Sequence, residues 1–125
     1  MAEAIARHVI ENPKETIGVV VFNAKQVAAL YEANGILVPT LSNKVCHNQD
    51  EIEDYFFNFT AKGPVGKINE SNIRHFGQMA INSGGYTFEF EDGSSAQARF
   101  SFVYRWNGER WMIAEQHSSQ MPEVV

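Results

Sequence analysis

A few side chains in this 125-residue sequence have types and spacings that could do chemistry: Arg99, the pair Glu115 and His117, the phenols Tyr55 and Tyr86, and the single thiol of Cys46. A histidine with a carboxylate two residues along the same strand face can be held in one tautomer and act as an acid–base group, so Glu115 and His117 are the candidate acid–base groups. The plainer reading of His117 is a satisfied core or rim histidine. Arg99 lies between Ala98 and Phe100, and if buried it must be paired or must bind an anion. Glu89 or Glu91 would supply an ion pair; otherwise Arg99, with Ser101, lines an anion-receiving pocket. Tyr55 and Tyr86 complete the candidate pocket, with Tyr55 a further acid–base candidate. Cys46 stands alone, which excludes an internal disulfide and a multi-cysteine metal site, and it reads as a buried thiol. His8, His47, His75 and His117 are too widely spaced for a local metal motif, and the glycines fall at turns rather than in a phosphate loop. No metal and no cofactor are expected.

These residues depend on one stretch for their placement, AQARFSFVYRWNGERWMIAEQHSSQM at residues 96–121. Alternation of large apolar with polar residues, interrupted at Asn107-Gly108, predicts two long strands joined by a tight hairpin. The first strand then shows Ala98, Phe100, Phe102, Tyr104 and Trp106 on one face, and Arg99, Ser101, Val103 and Arg105 on the other. A plain two-residue turn puts Trp111, Ile113, Glu115 and His117 on the aromatic face, with Met112, Ala114, Gln116 and Ser118 beside Arg99 and Ser101. Under that register, Arg99 and His117 form one site only if a bulge intervenes.

Upstream, helical spacing predicts segments over residues 2–11 and 13–22 and a further helix over 24–33, stopped at Asn34-Gly35. A short strand follows at 36–38, halted by Pro39. Asn48 as cap, Glu51 three residues on, and Ile52, Tyr55, Phe56 and Phe59 at i, i+3, i+4 and i+7 specify a helix that lies apolar side down on a sheet. Two further strands are expected, from about 67 to 79 or 81 and from 86 to 91, with turns at Ser83-Gly84-Gly85 and Asp92-Gly93-Ser94. Helices first and an antiparallel meander after them give an α+β order. Its aromatic face is too large to leave wet. Either the sheet curls around a core, or Phe100, Phe102, Tyr104, Trp111 and Ile113 form an interface between subunits.

A chain of this length with 44% hydrophobic residues is expected to form a single domain over 1–125. Its net charge of -5, with ten scattered basic residues, argues against a nucleic-acid partner. No apolar run approaches the roughly 20 residues of a membrane helix. The N-terminus has no signal-peptide core, so a cytoplasmic location is expected.

Several segments together resemble one family: ILVPTLSN (36–43), EIEDYFFNF (51–59), PVGKI (64–68), SGGYTF (83–88), ARFSFVY (98–104) and RWMIAEQHSSQMPE (110–123). They are similar to the association, or hub, domain of calcium/calmodulin-dependent protein kinase II and its free-standing relatives, within the nuclear transport factor 2-like and SnoaL-like superfamily. The resemblance covers about residues 23–123. It implies a cystatin-like cone in which a strongly bent antiparallel sheet wraps a long helix and encloses a pocket. In kinase hubs it further implies dimers stacked into rings. Ser118 stands where kinase hubs carry an arginine after the matching histidine, so their arginine-rich pocket is kept at most in part, with Arg99 the candidate remnant. The superfamily's isomerases and cyclases use an early-strand carboxylate base, and no Asp or Glu lies between Glu32 and Asp50. The expected function is a self-associating hub-like domain, partnered by itself, with a residual pocket for a small anionic or apolar ligand. The alternative is a small SnoaL-like isomerase, cyclase or hydrolase, or a small-molecule-binding protein, working in the cone.

Overall fold

The computed structural model describes residues 23–123. The two segments predicted over 2–11 and 13–22 lie outside the described residues. The described chain runs α1 (Ala24–Ala28), β1 (Tyr31–Val38), α2 (Gln49–Thr60), β2 (Val65–Phe76), β3 (Met79–Glu89), β4 (Ser95–Trp106) and β5 (Trp111–Gln120). The five strands form one sheet in the order β1-β5-β4-β3-β2, in which β1 runs parallel to β5 and the remaining pairs are antiparallel.

Helix α2 follows from its sequence. The Asn48 side chain caps the helix by accepting from Glu51 N at 2.9 Å, and the Glu51 carboxylate accepts from His47 N at 2.8 Å, which holds the residue before the cap. Ile52 is fully buried in a cluster with Val27, Tyr31, Leu37, Cys46 and Tyr104. Further along the helix, Phe59 packs edge-on against Phe88 at 5.1 Å, which ties α2 to the far side of the sheet. The sheet therefore curves over one helix.

Three local expectations are corrected. The helix expected over 24–33 ends at Ala28, and Tyr31 already belongs to β1, because strand pairing with β5 outcompetes the apolar helical stripe. The turn between β2 and β3 falls at Gly77-Gln78, with Gly77 at φ +64, rather than at Ser83-Gly84-Gly85, which lies inside β3. The β4–β5 connection is a four-residue loop between the paired Trp106 and Trp111, braced by the Asn107 side chain, which accepts from Glu109 N and Arg110 N. Before α2, Cys46 forms an isolated bridge with Leu37, the two exchanging backbone hydrogen bonds of 2.8 and 3.0 Å. Cys46 is buried and unbridged, and burial pushes its thiol pKa up.

Register decides which side chains meet. From Trp106↔Trp111 to Tyr104↔Ile113 the β4–β5 ladder is regular, then Val103 pairs with Glu115, leaving Ala114 as an extra residue. That bulge exchanges the two faces of the rest of β5. Gln116 and Ser118 turn inward with Phe102 and Phe100, and Glu115 and His117 turn outward with Val103 and Ser101.

Candidate functional site

The inner face of the sheet and the apolar face of α2 enclose a cavity of about 190 Å³. Its walls are mostly aromatic and aliphatic, with Phe56 and Phe59 from α2 and Phe88, Phe100 and Phe102 from β3 and β4. The rings form a continuous set: Tyr86 lies 4.7 Å from Phe88 and 4.8 Å from Phe100, and Phe100 lies 5.3 Å from Phe102.

One part of this wall is polar. Tyr31 donates its hydroxyl hydrogen to Gln116 Oε1, Gln116 Nε2 donates to the Tyr86 oxygen at 3.4 Å, and Tyr86 donates to Ser118 Oγ. Ser118 and Thr40 are joined hydroxyl to hydroxyl. Tyr55 donates to the Thr40 carbonyl at 3.0 Å. Four elements supply this chain: β1, the turn after it, β3 and β5, with α2 attached through Tyr55. Thr40, Gln116 and Ser118 are buried polar residues, each 7% exposed or less. Burial of a polar group is tolerated only when it is hydrogen-bonded, and no sealed side-chain N or O atom lacks a partner among the described residues.

Burial also fixes the charge state of the phenols. Desolvation pushes the pKa values of Tyr31, Tyr55 and Tyr86 above the ordinary range, with mutual repulsion between phenolates adding to the effect at Tyr31 and Tyr55. All three are neutral donors at physiological pH. An acid whose folded pKa is raised contributes stability that is intact below its unfolded pKa, about 10 for tyrosine, and is lost as pH climbs towards the folded value. The phenolate absorbance of these tyrosines is therefore expected to appear together with loss of far-ultraviolet circular dichroism, in one cooperative alkaline transition. Phenolate signal growing in well before unfolding would contradict their burial.

The sequence candidates divide between two faces. Tyr55 and Tyr86 line the cavity. Arg99, Ser101, Glu115 and His117 are exposed on the opposite, outer face and line no part of it. Arg99 stands opposite Gly85 and Ser119, and solvent makes an ion pair with Glu89 or Glu91 unnecessary. The Ala114 bulge does bring Arg99 and His117 to one face, on adjacent rungs, but that face is outside the cone. The aromatic set proposed as an interface is corrected too. Phe100, Phe102, Tyr104 and Ile113 line the cavity from within, and Trp111 is half-buried at the other end of β5, 5.7 Å from Trp106 and 5.8 Å from His75. Sequence reasoning missed Tyr31, Thr40, Asn82, Gln116 and Ser118. Only the parity change at the bulge could have revealed the last two.

Among the described residues no group of three or more His, Cys, Asp and Glu side chains is placed to hold a metal ion, and no helix is long and apolar enough to cross a membrane.

Comparison with known proteins adds to this geometry. The family profile described as calcium/calmodulin dependent protein kinase II association domain matches residues 8–122. A solved structure from Xanthomonas campestris, provisionally assigned as the same association domain, is 36% identical, covers 95% of this chain and 87% of its own, and superposes with a TM-score of 0.81. A nuclear transport factor 2-like protein of unknown function from Pseudomonas putida is 15% identical, with coverage of 94% and 85% and a TM-score of 0.76. A provisionally assigned ketosteroid isomerase from Parabacteroides distasonis is 12% identical, with coverage of 85% and 82% and a TM-score of 0.69. The last two likenesses speak for the fold, a cystatin-like α+β cone, and proteins with a cystatin-like fold from Novosphingobium aromaticivorans and Caulobacter vibrioides superpose on it as well. No curated protein matches the chain.

Proposed function

Because the chain belongs to the calcium/calmodulin dependent protein kinase II association domain family, we propose that it is a self-associating, hub-like domain whose cone keeps a ligand pocket. The observation that carries the self-association is the outer face of the sheet. There Ile36, Val103 and Ile81 lie on one rung with Glu115, and Val38, His117, Ser101 and Ser83 lie on the next. The aliphatic members of this face are half-exposed, and the polar ones, together with Arg99, surround them. An apolar centre with a polar surround rich in hydrogen-bonding groups is the usual make-up of a protein interface. The partner is a second copy of this chain, and rings of such dimers are the larger assembly this reading allows.

Light scattering coupled to size-exclusion chromatography tests it. The wild-type chain is expected to elute as a dimer or larger at micromolar concentration. Val103→Arg, which sets a charge at the centre of the outer face, is expected to lower the mass with unchanged circular dichroism. A wild-type monomer at that concentration overturns the reading.

The second reading, a small SnoaL-like isomerase, cyclase or hydrolase, draws on the likeness in fold to ketosteroid isomerases. The described wall of the cavity offers hydrogen-bond donors that can polarise a carbonyl. The described lining of the cavity holds no carboxylate or imidazole to move a proton, and Glu115 and His117 face outward. Binding is the use this wall supports best.

A further inference from the structure

The cavity's polar wall is uncharged, and a count of its hydrogens leaves donors over. Tyr31 gives its hydrogen to Gln116, Gln116 gives one amide hydrogen to Tyr86, and Tyr86 gives its own to Ser118. Ser118 and Thr40 are joined hydroxyl to hydroxyl, and the Thr40 side chain also meets the Tyr86 oxygen, so both hydroxyl hydrogens are used within the wall. The second amide hydrogen of Gln116 meets no acceptor among the described hydrogen bonds. Asn82, across Phe102 from Gln116 on the same rung, adds another donor. The backbone N–H of Asn72 can only donate, so the Asn82 atom it meets at 3.2 Å is the carbonyl oxygen. Ser71 donates to that oxygen too, at 2.6 Å. The Asn82 amide nitrogen is then the free end of a side chain that lines the cavity.

Among the described residues, charge is absent from the same wall. Besides the neutral tyrosines, the only ionisable residue in the described lining is Lys67, which is exposed. A carboxylate entering among the phenylalanines would lose its hydration without a buried countercharge, which is costly. Size sets a further limit: an apolar cavity of roughly 150 Å³ admits one benzene molecule, and this one measures about 190 Å³.

We propose that the cavity receives an uncharged molecule with an apolar body about the size of a single substituted ring and one carbonyl oxygen, which accepts from the second amide hydrogen of Gln116. This rests on the reading of the cone as a ligand pocket and names the chemistry that the pocket selects.

Ligand-observed nuclear magnetic resonance and calorimetry with acetophenone, ethylbenzene and benzoate test it on the full chain. The three share a ring and differ in the group presented to the polar wall. Acetophenone is expected to bind about tenfold more tightly than ethylbenzene, the worth of one buried hydrogen bond, and benzoate no better than ethylbenzene. Gln116→Met, checked for folding by circular dichroism, is expected to bring the acetophenone-to-ethylbenzene ratio close to one. Arg99→Ala, on the outer face, should leave that ratio unchanged. Equal affinity of acetophenone and ethylbenzene, or tighter binding of benzoate, overturns the proposed ligand class while the pocket stands. Failure of all three to bind overturns the pocket reading with it.

Discussion

Gly84→Ala is expected to prevent the chain from folding, whereas Gly85→Ala, one residue along, is expected to leave it folded. A Cβ at Gly84 would lie 1.9 Å from the Glu70 carbonyl oxygen, 2.7 Å from the Glu70 carbonyl carbon and 3.1 Å from Ser71 Cα. All three are backbone atoms of the neighbouring strand, so no rotamer change relieves the clash. At Gly85 the nearest atom would be the Ala98 oxygen at 3.4 Å, an ordinary contact. The difference comes from the bulge at Asn69, where β2 skips from the Ile68↔Tyr86 pair to Glu70↔Gly85. A bulge kinks and twists its strand. Here it presses the β2 backbone onto Gly84, and the strand then carries Gly66, Lys67 and Ile68 to the cavity wall. Accommodating the methyl group means separating β2 from β3, which places the substitution in the rare class above about 4 kcal/mol. Domains of this kind are stable by about 5 to 15 kcal/mol in all. Soluble yield and far-ultraviolet circular dichroism read the outcome. A folded Gly84→Ala protein with near wild-type urea resistance would mean that β2 does not approach β3 as described.

The same glycines show why part of the fold was hard to read. Ser83-Gly84-Gly85 has the composition of a turn, yet Gly84 answers to a neighbouring backbone, a long-range fact that local composition does not carry. The true turn at Gly77-Gln78 is a single glycine inside an alternating run, flanked by exposed Phe76 and Met79. By contrast, α2 was legible residue by residue, because a cap, a capping carboxylate and a 3.6-residue stripe are local devices. The candidate site divides in the same way. Tyr55 lies on that stripe and Tyr86 on a strand whose inner face is aromatic, so both could be placed. Gln116 and Ser118 could not, since the Ala114 bulge uses no special residue and alternation along β5 reads equally well in either phase. His117 drew notice because imidazole does more chemistry than an amide. Yet the amide next to it is the residue that faces the cavity.

Tyr31 and Thr40 were invisible for a topological reason. They reach Gln116 and Ser118 only because β1 returns parallel to β5, with Leu37 opposite Gln116 and Val38 opposite His117. That pairing joins residues some 80 positions apart in the chain, 85 for Tyr31 and Gln116 and 78 for Thr40 and Ser118. The polar wall is thus assembled by the closure of the sheet, and anything that loosens closure also dissolves the wall.

Ile52→Ala tests closure from the side of the helix. Ile52 is fully buried in the first turn of α2 and joins α1, β1, Cys46 and the inner face of the sheet in one cluster. Truncation to alanine removes three carbons at a point where six other segments meet, so the site cannot collapse to refill the space. Such losses cost about 2 to 5 kcal/mol, and Ile52→Val, which removes one carbon, about 0.5 to 1.5 kcal/mol. Phe57 on the same helix is 67% exposed, and Phe57→Ser is expected to stay within about 0.5 kcal/mol of wild type. Urea denaturation at one fixed protein concentration measures all three, the fixed concentration being needed because self-association adds to apparent stability. The effect should extend to the pocket, since Tyr55, Phe56 and Phe59 on the same helix line the cavity. The acetophenone affinity of Ile52→Ala is therefore expected to fall even where the protein remains folded. Equal costs for Ile52→Ala and Phe57→Ser would show that α2 is not held to the sheet by the face that Ile52 begins.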